Sequence, residues 1–433
     1  MFKLEFKDRP FLIIARLIRS RYFFNLVTTF LSQATNALSV LLLTPVFLKY
    51  LGIQKFGIYG VILNIVTFSA MFDFGLNTGM LRRLIHNKDA GVNLINSVFF
   101  FFCLSFFITL PVIAWLHYTS LSTVDKNFLY YILFAAILFT QNILILFFDT
   151  IIQTANKIYI GKIVRMLKLM IEFVCLYLLS KYESIIYLLL VSCFLNFIYA
   201  YILFFLSKKE VGYTISFHSF RFPVLYDHFK YSFWYFLNSI ANVLVFNAQV
   251  IMISALMGST QVAKYLVVTR FFDIIRIGMT NFTQVLFPSL AVMEANGDWI
   301  RIKKTFWRTF LGILLLVLLA FPILFIWGQK VFILWSKQSD AEIVHLYLLF
   351  SAFILLIVLD NVSAIFLAAL KLNKSQTVIS ILQGCIGLLL GLSLMKYYGV
   401  AGMVIASITA LLLTNLIFNP VFLLRKINFR LSV

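Results

Sequence analysis

The stretch TRFFDIIRIG, Thr269 to Gly278, places Arg270, Asp273 and Arg276 inside a long apolar run. On a helix, at about 100° per residue, these three project with Thr269, Thr280, Asn281, Thr283 and Gln284 into one arc of about 160°. Phe271, Phe272, Ile274, Ile275, Met279 and Phe282 occupy the other face. A second apolar run repeats the pattern, with Arg165, Lys168 and Glu172 sharing about 60° of arc. A charge at the bilayer centre costs at least about 2.5–3.5 kcal/mol, so such residues face a partner or an aqueous cavity. Asp273 stands at i,i+3 spacing from both arginines and can satisfy one of them. Given to Arg270, it leaves Arg276 over. Surplus cations in a cavity call for an anionic ligand, and a guanidinium offers phosphate oxygens paired donors where an ammonium offers a point charge.

Two further runs carry polar arcs. Asn25, Thr28, Thr29, Ser32, Thr35, Asn36 and Ser39 fall within about 120°, and Tyr231, Trp234, Tyr235, Asn238, Asn242 and Gln249 within about 100°. Amides hydrogen-bond hydroxyls as donor and acceptor, and aromatic rings offer flat apolar faces. A sugar attached to a phosphate suits both sets of groups. The candidate binding residues are therefore Arg165, Lys168, Arg270, Arg276, Asn36, Tyr231, Asn238, Asn242 and Gln249. The same residue types also tie membrane helices together, anchor them at the interface or snorkel to it. Asp73, Asp149, Glu172, Asp273 and Asp360 are candidates for ion coupling, since carboxylates inside a membrane bind and release coupling ions. Asp73 also fits a turn before Gly75, and Asp149 lies within reach of Lys157.

These residues sit on elements set by composition. Of 433 residues 62% are hydrophobic, 17% aromatic and 12% charged, well above the roughly 45–50% apolar share of soluble domains. The chain reads as an all-α polytopic membrane protein. Apolar runs of roughly 20 residues, enough to cross about 30 Å of hydrocarbon, recur twelve times. They lie at approximately 22–46, 57–80, 93–116, 128–153, 159–180, 184–206, 229–257, 262–290, 305–328, 342–370, 375–396 and 399–424, and each is expected to be helical because an open strand leaves backbone groups unpaired in lipid. With both termini placed in the cytoplasm, 24 Lys and Arg residues fall inside and eight outside, the bias expected of a multi-pass protein. That bias accounts for the net charge of +20 without nucleic acid as a partner. The basic stretch to Arg21 runs into a span longer than a signal peptide's apolar region, so the first helix is expected to be retained.

The connection over 207–228 divides two sets of six spans, 1–206 and 229–433. Shifting the chain by 206 positions lays Asn36 on Asn242, Gly52 on Gly258 and Tyr59 on Tyr265, a sign of internal repetition. An even number of helices per repeat relates the halves by a pseudo-two-fold along the membrane normal, with a central cavity between them. Cys103, Cys175, Cys193 and Cys385 stand singly inside spans, without disulfide or metal-ligand spacing. His86, His117, His218, His228 and His345 lie in loops or at helix ends and form no HExxH arrangement. They are expected to be solvated, and neither metal nor cofactor is indicated.

The run TPVFLKYLGIQKFGIYGVILNIVTFSAMFDFGLNTGMLRRL, Thr44 to Leu84, resembles the N-terminal signature of polysaccharide transporters. Its parts are a proline ending helix one, LG-x-x-x-FG-x-Y opening helix two, then D-x-GL and an arginine. ISALMGSTQVAKYLVVTR, LFPSLAVMEANGDW and LAALKLNKSQTVISI are similar to later helices of the same family. These are the Wzx-type flippases of O-antigen and other lipid-linked oligosaccharides, in the multidrug/oligosaccharidyl-lipid/polysaccharide superfamily. The resemblance implies two six-helix bundles around a cavity. It also implies transport of undecaprenyl-pyrophosphate-linked repeat units to the outer leaflet of the bacterial inner membrane, for O-antigen, capsule or exopolysaccharide synthesis. A proton or sodium gradient as driving force, and a glycan polymerase and chain-length regulator as neighbours, come with it. Gln249 departs from relatives that carry an acidic residue in helix seven.

A multidrug exporter of the same superfamily would line its cavity with carboxylates where helices five and eight here carry excess cations. A major-facilitator carrier would show G-x-x-x-D-R-x-G-R-R after helix two, where this chain has GMLRRLIHNKD. A membrane-embedded glycan polymerase needs a larger extramembrane platform than these short loops. The charge bias predicts that cysteines placed at Lys126 and Lys330 react with an impermeant thiol reagent from outside, and that cysteines at Lys88 and Lys303 do not. Reversed labelling would invert the topology.

Overall fold

A computed structural model describes residues 21–86, 91–104, 128–284 and 286–432. Every regular element among them is helical, as required where lipid cannot satisfy a free backbone group. The first set comprises α1 (Arg21–Thr67), α2 (Ser69–Phe72), α3 (Leu76–His86), α4 (Gly91–Leu104), α5 (Phe128–Thr154), α6 (Ile158–Ser180) and α7 (Ile185–Val211). The second comprises α8 (Phe222–Phe246), α9 (Ala248–Met257), α10 (Ser259–Gln284), α11 (Leu286–Ala295), α12 (Trp299–Ile323), α13 (Gln329–Ser336), α14 (Ala341–Ala369), α15 (Asn373–Tyr398), α16 (Val400–Leu413) and α17 (Asn415–Ser432). Among the described residues seven helices are long and apolar enough to cross a membrane, and the pair α8 and α9, bent by 42°, makes an eighth. Residues 105–116 of the span expected over 93–116, and the sites Lys88 and Lys126, lie outside the described residues.

Several expected spans are interrupted, each for a local reason. The run 57–80 breaks where Asp73 accepts a hydrogen bond from the Gly75 N–H, with Phe74 at φ 51 and Gly75 at φ 69. The run 229–257 bends at Asn247, and 399–424 is interrupted at Thr414 (φ −120, ψ −100). The connection expected over 207–228 narrows to 212–221, because Gly212 in the left-handed region ends α7 and a proline in the first turn opens α8,.

The most informative breaks are at two glycines. Gly52 (φ 77, ψ 167) interrupts α1, and Gly258 (φ 82, ψ 174) separates α9 from α10. Both conformations lie in a region of backbone space that essentially only glycine occupies. They are the two residues that the 206-position shift superposes, so the sequence repeat has a matching repeat in backbone geometry.

α1 packs against α6 and α10, α3 against α8, and α15 against α8 and α16. Rings fill the core, with Phe102 and Phe147 5.9 Å apart in the first helix set and Phe332 and Tyr347 4.9 Å apart in the second. Leu315, Leu318, Leu319 and Ile323 of α12 face outward, as they must where the surroundings are lipid tails.

A Cβ at Gly52 or Gly258 would meet nothing within 4 Å, so alanine there strains only the backbone. Gly52→Ala and Gly258→Ala are each expected to lower stability by about 1–3 kcal/mol. Gly312→Ala, mid-helix with equal free space, should raise it by about 0.4–1 kcal/mol. Thermal unfolding in detergent measures all three, and neutral behaviour of both strained glycines would contradict the geometry.

Candidate functional site

α10 and α6 each carry charges, and both pack against α1. Gln33 and Asn36 of α1, Arg165 of α6, and Arg276, Thr280 and Asn281 of α10 line a cavity of about 230 Å³. A second cavity of about 150 Å³ lies on the other side of Arg276, lined among others by Asn64, Asn247, Gln249, Tyr265, Thr269 and Asp273. Arg276 borders both.

The pairing on α10 is the reverse of the sequence expectation. Arg276 donates to Asp273 Oδ1 from Nε at 3.0 Å and Nη2 at 2.8 Å, and its guanidinium lies 5.2 Å from the Phe246 ring centre. Arg270 makes no ion pair among the described residues and stacks 5.1 Å from the centre of the Phe56 ring. Spacing alone cannot separate the two pairings, because both are i,i+3. Side-chain direction does: long side chains on a helix lean toward its N-terminus. Arg276 leans back onto Asp273, whereas Arg270 leans away from it.

On α6, Lys168 Nζ lies 2.6 Å from Glu172 Oε2. Arg165 has no ion pair among the described residues, so it is the unmatched cation of this cavity. Asn36 lines the cavity as expected. Tyr231 instead lies under the Arg83 guanidinium, 4.7 Å from ring centre to carbon. Asn238 and Asn242 are exposed on α8, where Asn242 donates to the Asn238 carbonyl at 2.9 Å. Gln249 is 5% exposed and spent on structure, donating to Val245 O and Ser407 Oγ and accepting from the Tyr265 hydroxyl.

Of the five carboxylates, Asp73 stabilises its turn. Asp149 pairs with Lys162 at 2.9 Å, and Lys157 pairs with Glu210 instead. Glu172 and Asp273 are paired as above. Asp360 has no cation partner among the described residues; its Oδ1 accepts from Asn419 Nδ2 at 2.8 Å. Asn415 and Asn419 each leave a buried Oδ1 without a partner.

Contacts between the two helix sets bracket the cavities. At one end of the first set, Arg83 pairs with Asp227 at 2.8 Å, Arg82 stacks on Tyr235 at 5.1 Å, and His228 Nε2 lies 3.0 Å from Leu76 O. His228, expected to be solvated, is fully buried. Gly75 and Gly79 touch α8 so closely that a Cβ would collide with Phe236 N or Ser232 Oγ. Toward the opposite end, a Cβ at Gly57 would collide with Ser259 O. Trp335 Nε1 donates to Leu41 O at 3.1 Å. Pro45, four residues on within α1, has no N–H for that carbonyl, and the indole of the other set supplies the donor. Gln33, Asn247 and Trp335 were missed in the sequence. Only Trp335 had a signal, the carbonyl orphaned by Pro45, and nothing in the sequence said which donor would fill it.

The helical layout defines a class. The structure is similar to a MATE transporter solved in complex with MaL6 (TM-score 0.65, 10% identity, covering 96% of this chain and 99% of that one). It is also similar to the lipid II flippase MurJ in an inward closed conformation (TM-score 0.65, 14% identity, 93% and 87% covered). A MOP superfamily transporter from Pyrococcus furiosus matches as well (TM-score 0.64, 12% identity, 96% and 98% covered). The chain is thus a multi-pass membrane protein with the fold of that superfamily. The model of the polysaccharide biosynthesis protein family matches residues 24–294, and the chain belongs to that family. No curated protein matches it.

The Arg276–Asp273 pair is about one-third exposed, so its coupling is expected at about 0.2–1 kcal/mol. A double-mutant cycle with Arg276→Gln and Asp273→Asn should return that coupling in thermal stability, and one with Arg270→Gln and Asp273→Asn should return less. The opposite ranking would restore the pairing read from sequence.

Proposed function

We propose that the chain is a flippase. It would carry undecaprenyl-pyrophosphate-linked oligosaccharide units from the cytoplasmic to the outer leaflet of the bacterial inner membrane by alternating access. The observation that carries this reading is the meeting of Arg165 and Arg276, one from each helix set, on a single cavity whose lining holds no carboxylate. An organic-cation cargo would be repelled there. A pyrophosphate would receive bidentate donors from both sides. Family membership and the likeness to a solved lipid II flippase support a lipid-linked cargo.

In this reading the chain has twelve spans in two six-helix bundles, 1–206 and 229–433, joined by the segment 207–228, with both termini cytoplasmic. Val27–Thr67 counts as two spans, since 41 residues of helix at about 1.5 Å each reach about twice the hydrocarbon thickness, and Gly52 divides them. Arg165 takes the pyrophosphate first. Arg276 then exchanges Asp273 for a phosphate oxygen, while Gln33, Asn36, Thr280 and Asn281 hydrogen-bond the sugar hydroxyls. The Arg83–Asp227 contact and the Trp335–Leu41 contact act as the inner and outer gates, one opening as the other holds. Asp360 couples the cycle by taking up a proton or sodium ion, the unpartnered Asn419 oxygen being available beside it. A polymerase and a chain-length regulator would receive the product.

Vesicles loaded with preformed lipid-linked glycan test the reading. Wild type should move the glycan without extending it, whereas chain extension would indicate a polymerase. Loss of one charge-assisted contact, about 1.5–3 kcal/mol, predicts roughly 10- to 100-fold slower flipping per folded molecule in Arg165→Ala and Arg276→Ala, with Arg276→Lys intermediate. Asp360→Asn should abolish stimulation by an imposed ion gradient while leaving cargo binding intact. Unchanged specific rates in both arginine variants would remove this cavity from the transport path.

A further inference from the structure

A crevice of about 460 Å³ lies apart from the arginine cavity, lined by Phe74, Phe229, Lys230, Phe233 and Phe236. Phe74 comes from the first helix set and the other four residues from α8. Phe74 sits at φ 51, an uncommon conformation for an aromatic residue, held by the Asp73–Gly75 hydrogen bond. That backbone brings its ring 5.8 Å from Phe229 and 5.2 Å from Phe236, and Phe101 of α4 backs both Phe74 and Phe229 at 5.8 and 5.1 Å. Phe233 is 51% exposed.

Lys230 gives the crevice its polarity. Its ammonium lies 4.5 Å from the centre of the Tyr226 ring and has no carboxylate partner among the described residues; the nearby Asp227 is taken by Arg83. In the orientation proposed above, Lys230 stands at the cytoplasmic end of its span. Phe233 and Phe236 then lie about 4.5 and 9 Å deeper, at about 1.5 Å per residue. A cation at headgroup depth above an aromatic wall matches one amphiphile, with an anionic head and a chain running into the cytoplasmic leaflet. A lone ammonium is a point charge suited to a phosphodiester, whereas pyrophosphate is better met by the paired guanidinia of the other cavity.

We propose that this crevice is a binding site for an anionic glycerophospholipid of the cytoplasmic leaflet, which bridges the two helix sets beside the Arg83–Asp227 contact and stabilises the conformation in which that contact is closed. The inference uses the proposed orientation but not the cargo. Its test reads binding and stability without transport, so its failure and a failure of flipping are distinguishable.

The protein, purified in full length and delipidated in detergent, is titrated with dioleoylphosphatidylglycerol or dioleoylphosphatidylcholine. Bound lipid is read by native mass spectrometry and stability by thermal unfolding. Phosphatidylglycerol should bind with saturation and raise the unfolding temperature more than phosphatidylcholine. One lysine near a membrane surface corresponds to about a fivefold change in apparent affinity, so Lys230→Gln should weaken phosphatidylglycerol about fivefold and leave phosphatidylcholine unchanged. Phe233→Ala should weaken both. Lys303→Gln, remote from the crevice and on the same membrane side, should behave as wild type. Equal stabilisation by the two lipids would reduce the crevice to ordinary annular contact and overturn the proposal. So would unaltered phosphatidylglycerol binding in Lys230→Gln, or tighter binding of undecaprenyl pyrophosphate than of phosphatidylglycerol that Lys230→Gln abolishes.

Discussion

A charge in hydrocarbon needs a partner, a ring or water, and the placement of helices in this protein follows that constraint. On α6 and α10, Lys168 meets Glu172 and Arg276 meets Asp273, and at the start of α6 Lys162 meets Asp149. Arg270 meets the face of Phe56, where a quadrupole compensates in part for lost hydration. Arg165 has neither carboxylate nor ring among the described contacts, and it borders a cavity instead. On the opposite side of the ledger stands Asp360, held only by an amide. Arg165 and Asp360 thus keep charges that no opposite charge answers among the described residues, the condition under which a charge inside a membrane usually marks function.

The backbone obeys a parallel rule. Interruptions of the spans free N–H or C=O groups, and side chains answer some of them. Asp73 accepts from the Gly75 N–H, and beside the break at Asn247 that residue's side-chain carbonyl accepts from the Thr67 hydroxyl at 3.1 Å across the helix sets. Pro45 frees the Leu41 carbonyl, and Trp335 donates to it. In the last two cases the donor and acceptor belong to different helix sets, so a sliding or rocking motion between the sets must break those bonds. The breaks in the helices are therefore also the points where the sets are joined.

The contact at the Arg83 end is not wholly favourable. His228 Nδ1 and Ser232 Oγ are buried there without hydrogen-bond partners, and each such group costs about 1–3 kcal/mol. The exposed Arg83–Asp227 pair offsets only a fraction of that, since pairs of this kind contribute about 0–1 kcal/mol. Water entering the interface would satisfy both polar groups. A contact balanced in this way can open at modest cost, as the proposed alternating-access cycle requires, and a bound lipid would shift its balance.

The all-helical membrane class and the charged helix faces were legible in the sequence, as were the seven or eight helices apolar enough to span among the described residues, because hydropathy and helical periodicity are local properties. So was the glycine pair, since Gly52 and Gly258 share both a repeat position and a backbone requirement that no other residue meets. The partner of Asp273 was legible too, though spacing alone misassigns it: the lean of helical side chains toward the N-terminus favours Arg276 over Arg270. Not legible was the separation of Asn36 from Asn238 and Asn242, all on polar arcs, of which only Asn36 lines the arginine cavity. An amphipathic arc marks a face as polar without saying which neighbour it meets. That neighbour is chosen by long-range packing of α1, α6 and α10, and residues far apart in the chain, such as Arg165 and Arg276, become a pair only there.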